Sequence, residues 1–95
     1  MTEISSKDLD VRRRRLLFRA WRRGVREMDL IVGRFADAHL AALDEAALDT
    51  FEALIEVPNA RLYAWVVGEE AVPKQFDSAV LRKLIRFHNS VGAKR

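Results

Sequence analysis

Apolar residues recur along this chain at spacings of three and four, the period of helices with one buried face. Leu16, Leu17, Ala20 and Trp21 form the first such stripe, on a cylinder otherwise crowded with arginine. They predict a helix over about residues 10–22, capped by Asp8 or Asp10, with Gly24 beyond it as a C′ residue able to take positive φ. A second helix is expected over 25–43, with Met28, Ile31, Val32, Phe35 and Leu43 facing inward. Gly33 inside that helix costs about 1 kcal/mol relative to alanine, which points to close helix packing or a bend there. Asp44 opens a third helix in which Leu48, Phe51, Leu54 and Ile55 share a face, ending before Pro58. Asn59 is the expected cap of a short fourth helix carrying Leu62, Trp65 and Val66 and stopped at Gly68. Residues 69–76, with Pro73, read as a loop. Asp77 then caps a fifth helix with Val80, Leu81, Leu84, Ile85 and His88 on one face and Arg82, Lys83 and Arg86 opposite.

The predicted architecture is all-α, a compact bundle of five short helices. Ninety-five residues leave room for one core, so a single domain over 11–91 is expected between a flexible tail (1–10) and a frayed end (92–95). No apolar run approaches the roughly 18 residues of a membrane helix. The first ten residues carry three acids and one lysine, unlike a signal or transit peptide, and a cytoplasmic protein is expected.

Composition removes most catalytic chemistry. The chain has no cysteine, which excludes thiolate nucleophiles, disulfides and zinc–thiolate sites together. His39 and His88 are far apart in sequence, and no histidine stands at Glu-x-x-His spacing from Glu52 or Glu56, so no metal set is expected. There is no phosphate loop and no nucleophile–base pair. The net charge of +3 conceals segregation: residues 1–11 carry −2, 12–34 carry +7, 35–72 carry −7 and 73–95 carry +5. The arginine block could neutralise phosphates, or it could be a solvated face partly paired with the acidic block. Phe18 and Trp21 look better placed for packing than for stacking on bases.

The segment Arg22-Arg23-Gly24-Val25-Arg26-Glu27-Met28-Asp29 stands apart. With Gly24 at the N-cap of the second helix, Glu27 is N3 and can reach back to the cap amide. That accounts for Gly24 and Glu27 but leaves Arg23, which is four residues from Glu27 and could share its face. A missing side chain at Gly24 would also let another backbone or a ligand approach closely. A simple cap and a recognition patch both remain open on these grounds.

On its ordered motifs the sequence resembles the small flavinylation factors of succinate dehydrogenase, also called SdhE or succinate dehydrogenase assembly factor 2. The hallmark is Arg-Gly-x-x-Glu with an Asp two residues on, present as Arg23, Gly24, Glu27 and Asp29. The run from Arg15 to Arg22, then Val32, Phe35, Leu62-Tyr63-x-Trp65 and the basic final helix, also look like the family. The likeness covers about residues 12–90. Val25 stands where the family more often has Met, and Trp21 is larger than expected at its position.

The resemblance implies a five-helix bundle that binds the flavoprotein subunit of succinate dehydrogenase, or of the related fumarate reductase, and promotes covalent attachment of FAD to it. Such a factor is not an enzyme, because the bond-forming chemistry belongs to flavin and flavoprotein. Arg23, Gly24 and Glu27 would be its functional residues, with Asp29 as neighbour. Arg23 would offer a planar, bidentate donor to a carboxylate or carbonyl of the partner. FAD would be handled through the partner and not held stably, by a monomer in the bacterial cytoplasm. The alternative is a small basic helical module for nucleic acid or for generic protein contacts.

Overall fold

The computed structural model describes residues 10–93, with side chains described to residue 90. The expected flexible tail lies, but for Asp10, outside the described residues, as do residues 94 and 95. Five α-helices follow in order: α1 (Val11–Ala20), α2 (Arg26–His39), α3 (Glu45–Ile55), α4 (Asn59–Val67) and α5 (Ala79–Ala93). No strand occurs among the described residues. Helix α1 packs on α2 and α3, and α5 closes the bundle against α2, α3 and α4.

Most residues of the predicted apolar stripes form the core, while Leu17, Trp21, Ile85 and His88 are half-buried. Leu16, Met28, Val32, Phe35, Leu48, Phe51, Leu62, Trp65, Leu81 and Leu84 are all buried, and no polar or charged residue is buried among the described residues. The Phe35 ring lies 6.0 Å from that of Phe51 and 5.9 Å from that of Phe87, joining α2, α3 and α5. His39 sits between Phe35 and Phe87, with ring centroids 4.9 and 5.3 Å away. Burial and the nearby Lys83 charge hold its imidazole below the ordinary value.

Local chemistry sets the helix ends. Asp10 caps α1, its carboxylate accepting from the Arg13 amide at 2.8 Å, and Asp44 caps α3 through the Ala47 amide at 2.8 Å. That amide bond, first, and the Arg13 guanidinium hold the Asp10 carboxyl below the ordinary value. Gly68 ends α4 with φ +84, and the next amide, of Glu69, returns to the Ala64 carbonyl at 2.8 Å.

Several expected boundaries are corrected. Helix α2 stops at His39 and tightens into a 3-10 turn, Leu40–Ala42, because Leu40 and Leu43 must both turn inward. Ser78, not Asp77, caps α5 by accepting from the Leu81 amide, while Asp77 pairs with Arg82 at 2.5 Å. Pro58, not Asn59, is the residue before α4, because the Asn59 side chain is engaged elsewhere. The last helix is described to Ala93.

Gly33 has the close packing expected of it. A Cβ there would stand 2.3 Å from the Trp21 ring, whose Nε1 donates to Asp37 at 3.2 Å. The size of Trp21 is thus matched by the absence of a side chain at Gly33.

Candidate functional site: the Arg23–Glu27 loop and its grooves

The arginines of α1 divide by direction. Arg12 reaches across to α3 and pairs with Glu45, Asp49 and Glu52 at 3.0, 2.6 and 2.9 Å; Asp49 first, and Glu52, raise its pKa. Arg19 pairs with Glu56, the residue that follows α3. Arg13 pairs with Asp10 and donates to the carbonyls of Leu40 and Leu43, satisfying the end of the 3-10 turn. The expected solvated basic face is therefore half internal. Arg14, Arg15 and Arg22 face solvent, with Phe18 57% exposed beside them. Phe18 does not pack into the core as expected; it lies off the Leu16–Ala20 stripe, and Arg22 covers its ring at 3.9 Å.

Between α1 and α2 the chain makes a short loop, and Arg23 ties it down. Its Nε donates to Asn59 Oδ1 at 2.6 Å, Nη1 to the Ile55 carbonyl at 2.8 Å and Nη2 to the Val57 carbonyl at 2.6 Å. Asn59 Nδ2 donates back to the Arg23 carbonyl at 3.2 Å. The guanidinium thus closes the C-terminal end of α3, where free carbonyls and the helix dipole both favour a cation. Burial pulls its pKa below the ordinary value, against the attraction of Asp29. An outward-facing Arg23, as the sequence suggests, is not what the structure has: all three guanidinium nitrogens donate inward.

Asp29 completes the clamp, its carboxylate accepting from the Arg23 amide at 2.6 Å. This bond replaces the expected capping box. Helix α2 begins one residue later than a Gly24 cap requires, with Val25 at the N-cap and no side chain bonded there. Glu27 is consequently the second helical residue, and Arg23, outside the helix, does not share its face. Gly24 takes φ +91, and a Cβ built there meets nothing within 4 Å. Glu27 is exposed and has no hydrogen-bond or ion-pair partner among the described residues.

Two grooves flank this loop. One, of about 570 Å³, is lined by Val25, Glu27, Met28, Asn59, Ala60 and Tyr63. The other, about 300 Å³, is lined by Phe18, Arg19, Arg22, Arg23, Ile55, Pro58 and Asn59. Asn59 belongs to both walls. Four residues singled out in sequence are thus brought together, but in unequal roles: Arg23 and Asp29 hold the loop, and Gly24 and Glu27 are displayed by it.

Sequence reasoning missed Asn59 and Tyr63 as parts of the site. Nothing local marks Asn59, since an Asn after Pro reads equally well as a cap. Tyr63 carries a weak signal, being a half-polar ring beside the buried positions Leu62 and Trp65. No group of three or more metal-ligating side chains occurs among the described residues, and no described helix is long and apolar enough to cross a membrane.

Comparison with known proteins agrees over most of the chain. The chain is 33% identical to succinate dehydrogenase assembly factor 2, mitochondrial, of Dictyostelium discoideum, over 90% of its own length and 59% of that protein. It is 32% identical to the FAD assembly factor SdhE of Acetobacter pasteurianus, over 86% of this chain and 75% of the relative. Against the mitochondrial assembly factor 2 of Debaryomyces hansenii it is 28% identical, over 86% of this chain and 60% of the relative. The chain therefore spans about three fifths of the two mitochondrial relatives and three quarters of the bacterial one. No solved structure matches it. The Sdh5 family model, flavinator of succinate dehydrogenase, matches residues 14–88, which takes in the clamp, the displayed loop and both grooves, and the chain belongs to that family.

Proposed function

We propose that this protein is an assembly factor that binds the flavoprotein subunit of succinate dehydrogenase and promotes covalent attachment of its FAD. The observation that carries this reading is the displayed Gly24–Glu27 edge, held by Arg23 and Asp29, in a chain of the Sdh5 family. The Dictyostelium relative is named for succinate dehydrogenase assembly and the Acetobacter relative for FAD assembly, which together support this client and this cofactor; the proposed place of action is the bacterial cytoplasm.

In this reading the factor supplies no reacting group. It works as a ligand that binds a linkage-competent arrangement of its client more tightly than others, so its effect equals that difference in affinity. Glu27, unpartnered at the groove edge, accepts donors from the client. Gly24 keeps the loop free of a side chain where the two surfaces meet. Arg23 is a positioning residue: it holds the loop against α3 so that Gly24 and Glu27 keep one geometry. FAD stays with the flavoprotein, and the factor acts as a monomer. Arg12, Arg13, Arg19 and Arg23 are all engaged within the chain, which weakens the nucleic-acid alternative.

The test is co-purification of the factor with apo-flavoprotein from a strain lacking the endogenous factor, read by covalent flavin fluorescence in a denaturing gel. Restored fluorescence is expected. Fluorescence equal to the empty-vector control overturns the reading. Repeating the test with a fumarate reductase flavoprotein decides whether that client is also served.

A further inference from the structure

The outer face of α1 is unlike the rest of the surface. Phe18 is the only aromatic ring among the large exposed hydrophobic residues of the described chain, and Val11, two turns earlier, is 53% exposed. A groove of about 520 Å³ runs between them, lined by Val11, Arg14, Arg15, Phe18 and Arg19. Arg14 and Arg15 on α1, and Arg22 just beyond it, have no acidic partner among the described residues, although Arg12, Arg13 and Arg19 on α1 all do. Among the described residues Arg26, Arg34, Arg61 and Arg86 are also unpartnered, but none of them lines the groove beside Phe18. Phe18 and Arg19 are walls of both this groove and the next, and Asn59 carries the second into the groove at Glu27. The three grooves are neighbours, each sharing a wall residue with the next, from Val11 to Tyr63.

We propose that this α1 face is a second contact surface for the client, and that it takes an acidic segment carrying at least one apolar side chain. The inference rests on the flavoprotein reading above and extends it from the Glu27 loop along α1. Exposed arginine beside an aromatic ring is the composition of protein-binding hot spots. The Arg22 guanidinium over the Phe18 ring holds that ring in place before a partner arrives, and such pre-ordering favours binding. Arg14 and Arg15 supply the charge that draws in carboxylates and speeds encounter. A bilayer is a poor occupant, because two exposed large apolar residues on a ten-residue helix are far less than a membrane-lying helix presents.

The experiment measures binding of the full chain to purified apo-flavoprotein subunit by biolayer interferometry at low and high salt. Three variants are compared with wild type: Arg14→Glu/Arg15→Glu, Phe18→Ala, and Lys83→Glu/Arg86→Glu on α5 as an equal change of net charge. Circular dichroism confirms that each is folded. Both α1 variants are expected to bind about tenfold more weakly, the charge reversal mainly through a slower association rate. The α5 variant should stay within about twofold of wild type, and salt should bring wild type toward the charge-reversed level. If both α1 variants bind like wild type while Glu27→Ala does not, this inference fails and the assembly function stands. If wild type itself does not bind the subunit, both fail. Retention of wild type on random duplex DNA or on phosphatidylserine vesicles, lost in Arg14→Glu/Arg15→Glu with subunit binding unchanged, also overturns it.

Discussion

Arg23 and Asn59 hold each other across 36 residues of sequence, the guanidinium donating to the amide oxygen at 2.6 Å and the amide donating back to the Arg23 carbonyl at 3.2 Å. This reciprocal pair joins the α1–α2 loop to the start of α4 and leaves the Ile55 and Val57 carbonyls to the other guanidinium nitrogens. Arg23 is therefore a stability residue as well as a motif residue. Lysine keeps the charge but lacks the planar fork that serves three acceptors. Arg23→Lys is expected to lower stability by about 2 kcal/mol in urea unfolding and to weaken flavin attachment with it. Asn59→Ala should cost less, about 1 kcal/mol, because the two carbonyl bonds survive.

Gly24 separates backbone strain from bulk. Its φ of +91 strains any residue with a Cβ, yet the space around it is open. Gly24→Ala should cost about 1 kcal/mol and Gly24→Asn less. Gly24→Arg should give a folded bundle by circular dichroism with no covalent flavin on its client. An unfolded Gly24→Arg protein, or one that still supports loading, contradicts the interface reading.

Glu27 should show the opposite profile to Arg23. An exposed side chain without partners among the described residues contributes little to folding, so Glu27→Ala is expected within about 0.5 kcal/mol of wild type. Flavin attachment should fall severalfold nonetheless. A large stability loss with unchanged attachment would return Glu27 to a purely structural role.

Gly33 and Trp21 form a packing pair that a double-mutant cycle can expose. Gly33→Ala places a methyl group within the Trp21 ring and should cost about 1–3 kcal/mol. In a Trp21→Ala background the same substitution should cost nothing or stabilise the helix. Equal costs in both backgrounds would show that the ring is not the obstacle.

His39 gives a pH dependence with a definite sign. Its folded pKa lies below the ordinary 6.5, so the unfolded chain binds this proton more readily. Stability should accordingly rise with pH as the medium passes upward from the folded pKa through about 6.5, and fall on acidification. His39→Phe, which keeps a ring between Phe35 and Phe87, should flatten that slope in chemical denaturation at pH 5 and 7.

The helices were legible because periodicity is a local property. Met28, Ile31, Val32 and Phe35 had to share a face whatever lay opposite, and Asp44 could cap only what followed it. The positive φ of Gly24 was legible for the same reason, although α1 ends at Ala20 with Trp21 as its C-cap, so Gly24 stands in the loop and is not the C′ residue. Asn59 and Asp77 were misread because each has a side chain suited to a cap and a stronger distant or neighbouring partner, Arg23 in one case and Arg82 in the other.

Sequence by itself determined that this chain is a five-helix, cysteine-free domain whose Arg23–Asp29 segment stands apart. Only the tertiary structure decided what each arginine does. Helical spacing specifies the direction of a side chain relative to its own helix, but not which carboxylate or carbonyl another helix brings beneath it. Packing α1 against α3 carried Arg12 and Arg19 to acids 33 to 40 residues away, folded Arg23 onto the end of α3, and left Phe18 with Arg14, Arg15 and Arg22 facing water.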